Sequence, residues 1–130
     1  MNDMVNKLKD CELAMAEEKG SFDLFALFLR EDVLGKWDLV VAAGWAEMDK
    51  GKSFPYIAGK VQAALSNEEL LRISRIVILD KNNPALLSMH KAFDVEHGIS
   101  EIHDCNFSGV QIKHAYLITS RRRRKGRSGK

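Results

Sequence analysis

The hydrophobic positions near the start of the chain recur at helical spacing. In residues 3–18 an apolar side chain follows at steps of four, three and four residues, at Met4, Leu8, Cys11 and Met15. This spacing places the four side chains on one face of an amphipathic helix. The same kind of pattern predicts a helix over residues 54–65 and another from Pro84 to shortly before Gly98.

Capping residues indicate where further helices begin and end. Ser53 is suited to cap the helix over residues 54–65, which leaves residues 45–52 as a predicted loop. Ser66 and Glu69 have the spacing of a capping box, in which a hydroxyl and a carboxylate satisfy backbone donors reciprocally. They predict a short helix that ends near residue 73.

Several segments carry the dense apolar patterns of β-strands, and they are residues 22–30, 37–43, 75–80 and 110–119. Residues 22–30 are apolar on both alternating faces, which is typical of a strand in the interior of a sheet, and residues 75–80 suggest the same by composition. Short links that contain Gly predict one antiparallel hairpin from residues 22–30 and 37–43, and another from residues 99–107 and 110–119.

The order of these elements predicts the fold class. We expect an α/β (α+β) protein with a single mixed β-sheet of about five strands. Two hairpins plus one central strand, residues 75–80, would build the sheet, and three or four helices would cover it. The order of the strands across the sheet does not follow from the sequence.

Composition agrees with an ordinary globular protein. The 130 residues are 45% hydrophobic and 29% charged, which excludes a wholly disordered chain. The apolar runs are far shorter than the ~20 residues that span a bilayer, so we expect no membrane partner. No secretory signal is evident, and two Cys without one indicate a reducing compartment, which predicts a cytoplasmic protein.

Charge is distributed very unevenly along the chain. All 18 Asp and Glu but only 13 of the 20 Lys and Arg lie within residues 1–120, which leaves that part a net charge of −5. Residues 121–130 hold the other seven cations, with no anion and no apolar side chain. We therefore expect residues 1–120 to form a single α/β globular domain and residues 121–130 to form a disordered basic C-terminal tail.

This tail gives the leading prediction of function. The residues expected to bind nucleic acid are Arg121, Arg122, Arg123, Arg124, Lys125 and Arg127. Guanidinium groups form paired hydrogen bonds with phosphates, and release of counterions favours RNA or DNA as the partner. The tail has no aromatic side chain to stack on bases, so we expect contact without sequence readout. The prediction is a small non-catalytic accessory or interaction protein.

Other functions remain open at this point. A metal-dependent phosphodiesterase or nuclease would use Asp38 and Asp80, because carboxylates on strands can hold Mg²⁺ beside a phosphate. Such a site also needs a Lys two residues after an acidic residue, so that both side chains lie on one face of the strand. Asp80 and Lys81 are adjacent, so their side chains leave opposite faces. A purely protein-binding module would form a homodimer through the apolar stripe of residues 3–18. The tail itself could be a solubilising or localising extension, or an intramolecular counterion for the acidic domain.

The candidate metal site lies in the last predicted hairpin. If its turn has two residues, His114 stands opposite His103, and Cys105 and Glu101 are expected on the same face of the strand. Imidazole and thiolate are ligands that suit Zn²⁺. No fourth ligand is secure at a standard spacing, so we expect no stoichiometric zinc and no cofactor.

One further motif involves phosphate binding. Gly51-Lys52-Ser53 has the residues that end a phosphate-binding loop, but Ala46 stands where such a loop requires glycine. An ordinary helix start is therefore expected there, and no catalytic residue is assigned.

Overall fold

The structure, a computed structural model, describes residues 2–30, 35–107 and 109–122. Its strands are β1 (Leu24–Arg30), β2 (Trp37–Ala42), β3 (Ile73–Ile78), β4 (Ser100–Phe107) and β5 (Val110–Ser120). Its helices are α1 (Asn2–Lys19), α2 (Gly44–Met48), α3 (Lys50–Ala64), α4 (Asn67–Leu70) and α5 (Pro84–Ala92). The strands form one mixed sheet in the order β3-β2-β1-β5-β4, which confirms the predicted fold class.

Both predicted hairpins are present in the sheet. β1 pairs antiparallel with β2, and β4 pairs antiparallel with β5 in a register that places His103 opposite His114. β1 also pairs antiparallel with β5, while β2 and β3 run parallel. The β4–β5 register agrees with the two-residue turn that the sequence predicted.

The prediction that residues 75–80 form the central strand was wrong. β3 lies at the edge of the sheet, next to β2, and β1 occupies the centre. The composition misled because β3 contacts apolar side chains on both faces: Ile76 packs on one side of the sheet and Val77 on the other. A strand covered on both faces is apolar on both faces even at an edge.

Several element boundaries also differ from the prediction; for example, the short helix predicted to end near residue 73 ends at Leu70. Residues 45–52 contain α2 and the start of α3 rather than a loop, and Asp49, not Ser53, caps α3 by accepting a hydrogen bond from the Lys52 N–H at 3.2 Å. Ser53 is buried inside α3, so the Gly51-Lys52-Ser53 segment is part of a helix. α5 ends at Ala92, several residues before the predicted boundary.

The sheet buries side chains on both faces. One face forms the α1/α3 core, whose members include Met4, Leu8, Met15, Phe25, Leu27, Ile57 and Val61. The other face forms the α5 core, whose members include Leu24, Ala26, Phe28, Leu86, Met89 and Leu117. β1 alternates between the two cores, and its side chains from Leu24 to Phe28 are at most 2% exposed.

The burial of α1 argues against the homodimer alternative. The stripe that was considered as a homodimer interface, at Met4, Leu8, Cys11 and Met15, is between 0% and 8% exposed within a single chain. It packs against the sheet as part of the α1/α3 core, so it does not offer a surface for a second copy. Within the described residues no helix has the length and apolarity needed to cross a membrane.

Burial in this core changes the acidity of a thiol. Removal from water raises the pKa of Cys11 from its usual 9.0 to about 11; the positive charge of Lys60 partly opposes this shift, and Glu12 adds a smaller raising effect. The folded chain therefore holds this proton over a pH range in which the unfolded chain has released it.

We expect Cys11 to make the fold sensitive to alkali. Its contribution to stability is complete below pH 9.0 and is lost as the pH rises towards about 11. Chemical denaturation across this range should show the wild type losing about 1–2 kcal/mol more than Cys11→Ala, whose buried side chain does not titrate. Cys105→Ala, which removes the half-buried thiol instead, should keep most of the wild-type loss. An identical pH profile for Cys11→Ala and the wild type would contradict the assignment.

Candidate functional site

The basic tail begins as part of the folded structure. The backbone N–H of Arg121 donates to the Asp23 carbonyl at 3.0 Å, which continues the contact between β5 and β1. The Arg121 guanidinium lies 2.9 Å from Asp94 through Nε and 2.8 Å from Glu96 through Nη1. These contacts raise the pKa of Arg121 further above its usual range, with the hydrogen bond to Asp94 as the main cause.

The structure describes only part of the other residues that were predicted to bind nucleic acid. Arg122 is described and exposed. Arg123, Arg124, Lys125 and Arg127 lie outside the described residues, as does most of the segment that was predicted to be disordered. Arg121 thus has an intramolecular role as a counterion, and Arg122 is the first cation of the tail after it.

Asp38 is held by two arginines. It is 4% exposed in β2, and its Oδ2 atom lies 3.1 Å from Nε of Arg30 and 3.3 Å from Nε of Arg75. Arg75 is directly opposite Asp38 on β3. The group borders a cavity of about 200 Å³ whose other lining is mostly apolar. Because two guanidinium groups already neutralise the carboxylate, a Mg²⁺ ion would have to displace them.

The second carboxylate of the nuclease alternative is far away. Asp80 follows the end of β3, is exposed, and forms an ion pair with Lys50 at 2.8 Å. It lies five residues beyond Arg75, the partner of Asp38 on the neighbouring strand. The strand residues 75–78 alone span about 10 Å at the usual rise of a strand, and Asp80 lies two residues further along the chain. The structure does not bring Asp38 and Asp80 together into one metal site.

Three potential metal ligands converge on the β4–β5 hairpin. Nε2 of His114 lies 2.7 Å from Oε2 of Glu101, and Nε2 of His103 lies 3.4 Å from the same oxygen. One ligand atom from each residue falls within 4.8 Å of the other two. The imidazole rings of His103 and His114 are stacked, with centroids 4.3 Å apart.

Cys105 does not join this cluster, contrary to our expectation. Asp104 has a φ of 55°, and β5 shifts its register to β1 between the partners of Leu29 and Arg30. After these irregularities Cys105 packs against the α5 core, whereas His114 contacts the rings of Trp37 and Tyr116 on the opposite face. A left-handed residue breaks the alternation of side chains that placed Cys105 beside His103.

A separate polar network is buried beneath α1. Glu12 is fully buried, its Oε2 atom accepts a hydrogen bond from the Thr119 hydroxyl at 2.8 Å, and its Oε1 atom lies 2.6 Å from Nδ1 of His97. The backbone N–H of His97 donates to the Thr119 hydroxyl at 3.2 Å. This network joins α1, β5 and the segment before β4. Sequence reasoning missed Glu12.

The residues discussed above therefore form four polar groupings: the Arg121 contacts, the arginine-paired Asp38, the Glu101-centred cluster on β4–β5 and the buried network around Glu12. Comparisons with protein-family models, with curated proteins and with solved structures find no match to this chain.

We expect Asp38 to contribute more to stability than Asp80. Asp38→Ala leaves Arg30 and Arg75 facing each other without their shared carboxylate, and should lower the free energy of unfolding by about 2 kcal/mol. Asp80→Ala removes only an exposed ion pair and should cost about 0–1 kcal/mol. Urea denaturation of the two variants and the wild type measures the difference. Equal costs would show that the Asp38 pairs act like surface ion pairs.

Proposed function

We propose that this protein is a non-catalytic accessory protein that binds RNA or DNA phosphates through its C-terminal basic segment. The observation that carries the proposal is the charge distribution: seven cations within residues 121–130 follow a part of the chain with a net charge of −5. Attraction to a polyanion must therefore come mainly from this segment.

The position of Arg121 supports a division of labour within the segment. Asp94 and Glu96 already neutralise its guanidinium, so it fixes the point at which the segment leaves the sheet. Six cations follow it, beginning with the exposed Arg122. We infer that these six, and not Arg121, supply the phosphate contacts.

The expected mode of binding is electrostatic and independent of base sequence. Residues 121–130 contain Arg, Lys, Gly and Ser only, so they offer charge without a stacking platform. If about four cations contact phosphates at once, the slope of log affinity against log salt concentration should be about −3 to −4 on duplex DNA. Single strands should give a somewhat shallower slope.

The test compares the full chain with a truncation that ends at Arg121. The truncation keeps the ion pairs with Asp94 and Glu96, so both proteins should have the same circular dichroism and melting temperature. Fluorescence anisotropy with a labelled oligonucleotide at low salt should show micromolar-range binding by the full chain, on the order expected for non-specific contacts, and hardly any by the truncation.

A matched pair of charge variants separates the effect of the tail cations on binding from the effect of net charge. Arg122, Arg123 and Arg124 are replaced by Gln in one protein, and the exposed Lys52, Lys91 and Lys113 are replaced by Gln in the other. Net charge changes equally in both. The tail variant should reduce the magnitude of the salt slope by about 2–3, whereas the lysine variant should keep nearly the full slope. Equal binding by the truncated protein would place the site on the folded part and refute the proposal.

A further inference from the structure

The β4–β5 hairpin holds a set of ligands that the nucleic-acid proposal does not use. Glu101 and His103 are two residues apart on β4, and His114 stands directly opposite His103 on β5. Their positions are fixed by the pairing of two long strands rather than by a loop. Nε2 of His114 and Nε2 of His103 lie 2.7 Å and 3.4 Å from the same carboxylate oxygen of Glu101.

Contacts with neighbouring side chains hold His114 and Glu101 in position. The His114 side chain is 20% exposed, and its ring lies 5.4 Å from Trp37 and 4.7 Å from Tyr116, centroid to centroid. The Tyr116 hydroxyl hydrogen-bonds Glu101, and burial, followed by the charge of Glu101 and this bond, raises the pKa of Tyr116. Hydrogen bonds of this kind orient a carboxylate that ligates a metal.

We propose that Glu101, His103 and His114 form a Zn²⁺ site with three protein ligands and an open fourth position. Two imidazoles and one carboxylate are a ligand set that zinc uses in proteins when a water molecule completes the tetrahedron. A bound ion takes the place of the hydrogen bond between His114 and Glu101. Hard cations such as Mg²⁺ and Ca²⁺ prefer sets made only of oxygen, so the two imidazoles favour zinc.

Binding requires the 2.7 Å separation of His114 and Glu101 to widen to about 3.4 Å and the ring of His103, the most exposed ligand, to turn. Tetrahedral ligands about 2.1 Å from zinc lie about 3.4 Å apart, which matches the present separation of His103 and Glu101. The two stacked rings cannot both point at one ion, because each imidazole binds metal in its own plane. The His103 side chain is 64% exposed and can turn, while His114 stays against Trp37 and Tyr116.

Isothermal titration calorimetry with Zn²⁺ at neutral pH tests the site in the full chain. In contrast to the sequence-based expectation of no stoichiometric zinc, we expect one ion per chain and a rise in melting temperature with zinc concentration. Glu101→Gln and His114→Gln should each weaken binding by roughly tenfold or more. His103→Gln changes an exposed side chain and provides the same test if His114→Gln is unstable without metal.

Two control variants make the expected pattern specific. Asp104→Asn removes a nearby charge and keeps a residue type that tolerates the φ of 55°. Cys105→Ser removes the thiol that faces the α5 core. Both should bind zinc within about twofold of the wild type. No binding by the wild type, full binding by the Glu101 and histidine variants, or loss of binding in Cys105→Ser would each overturn the proposal. None of these outcomes depends on the tail.

Discussion

Strand β1 must be apolar on both sides, and the positions of the other elements follow from this constraint. Phe25 and Leu27 face the α1/α3 core, while Ala26 and Phe28 face the α5 core. Each large side chain of this kind contributes about 1.5–3 kcal/mol when it is fully buried. A fold that left either face of β1 in water would lose several such contributions, so helices have to cover both faces and strands have to pair with both edges.

Much of this arrangement could be predicted from the sequence because it depends on local patterns. The two-sided apolar pattern of β1 and the short turns were enough to predict the strands and both hairpins. The position of β3 could not be predicted in the same way. Its apolar side chains reach both cores from the edge of the sheet. Composition indicates whether the two faces of a strand are covered, but not whether other strands pair with both of its edges.

The polar groupings were less predictable because each depends on backbone detail or on distant partners. The pairing of His103 with His114 followed from the turn length, but the φ of Asp104 reversed the side on which Cys105 lies. Glu12 carried a signal that went unused: it follows Leu8 by four residues and precedes Met15 by three, so it sits on the buried stripe of α1. A carboxylate at such a position requires partners, and Thr119 and His97 are more than eighty residues away.

The pairing of β1 with β5 also has a consequence for the order of synthesis. Leu24 pairs with Ser120, so one edge of the central strand finds its partner only after nearly a hundred further residues have been made. At cellular rates of translation this interval is about 5–20 s. During that time an apolar strand with an open edge is present on the nascent chain, which is the kind of surface that chaperones protect and that aggregation exploits. β5, the last strand in the sequence, lies between β1 and β4. The sheet therefore cannot be completed until the end of the described chain has been synthesised.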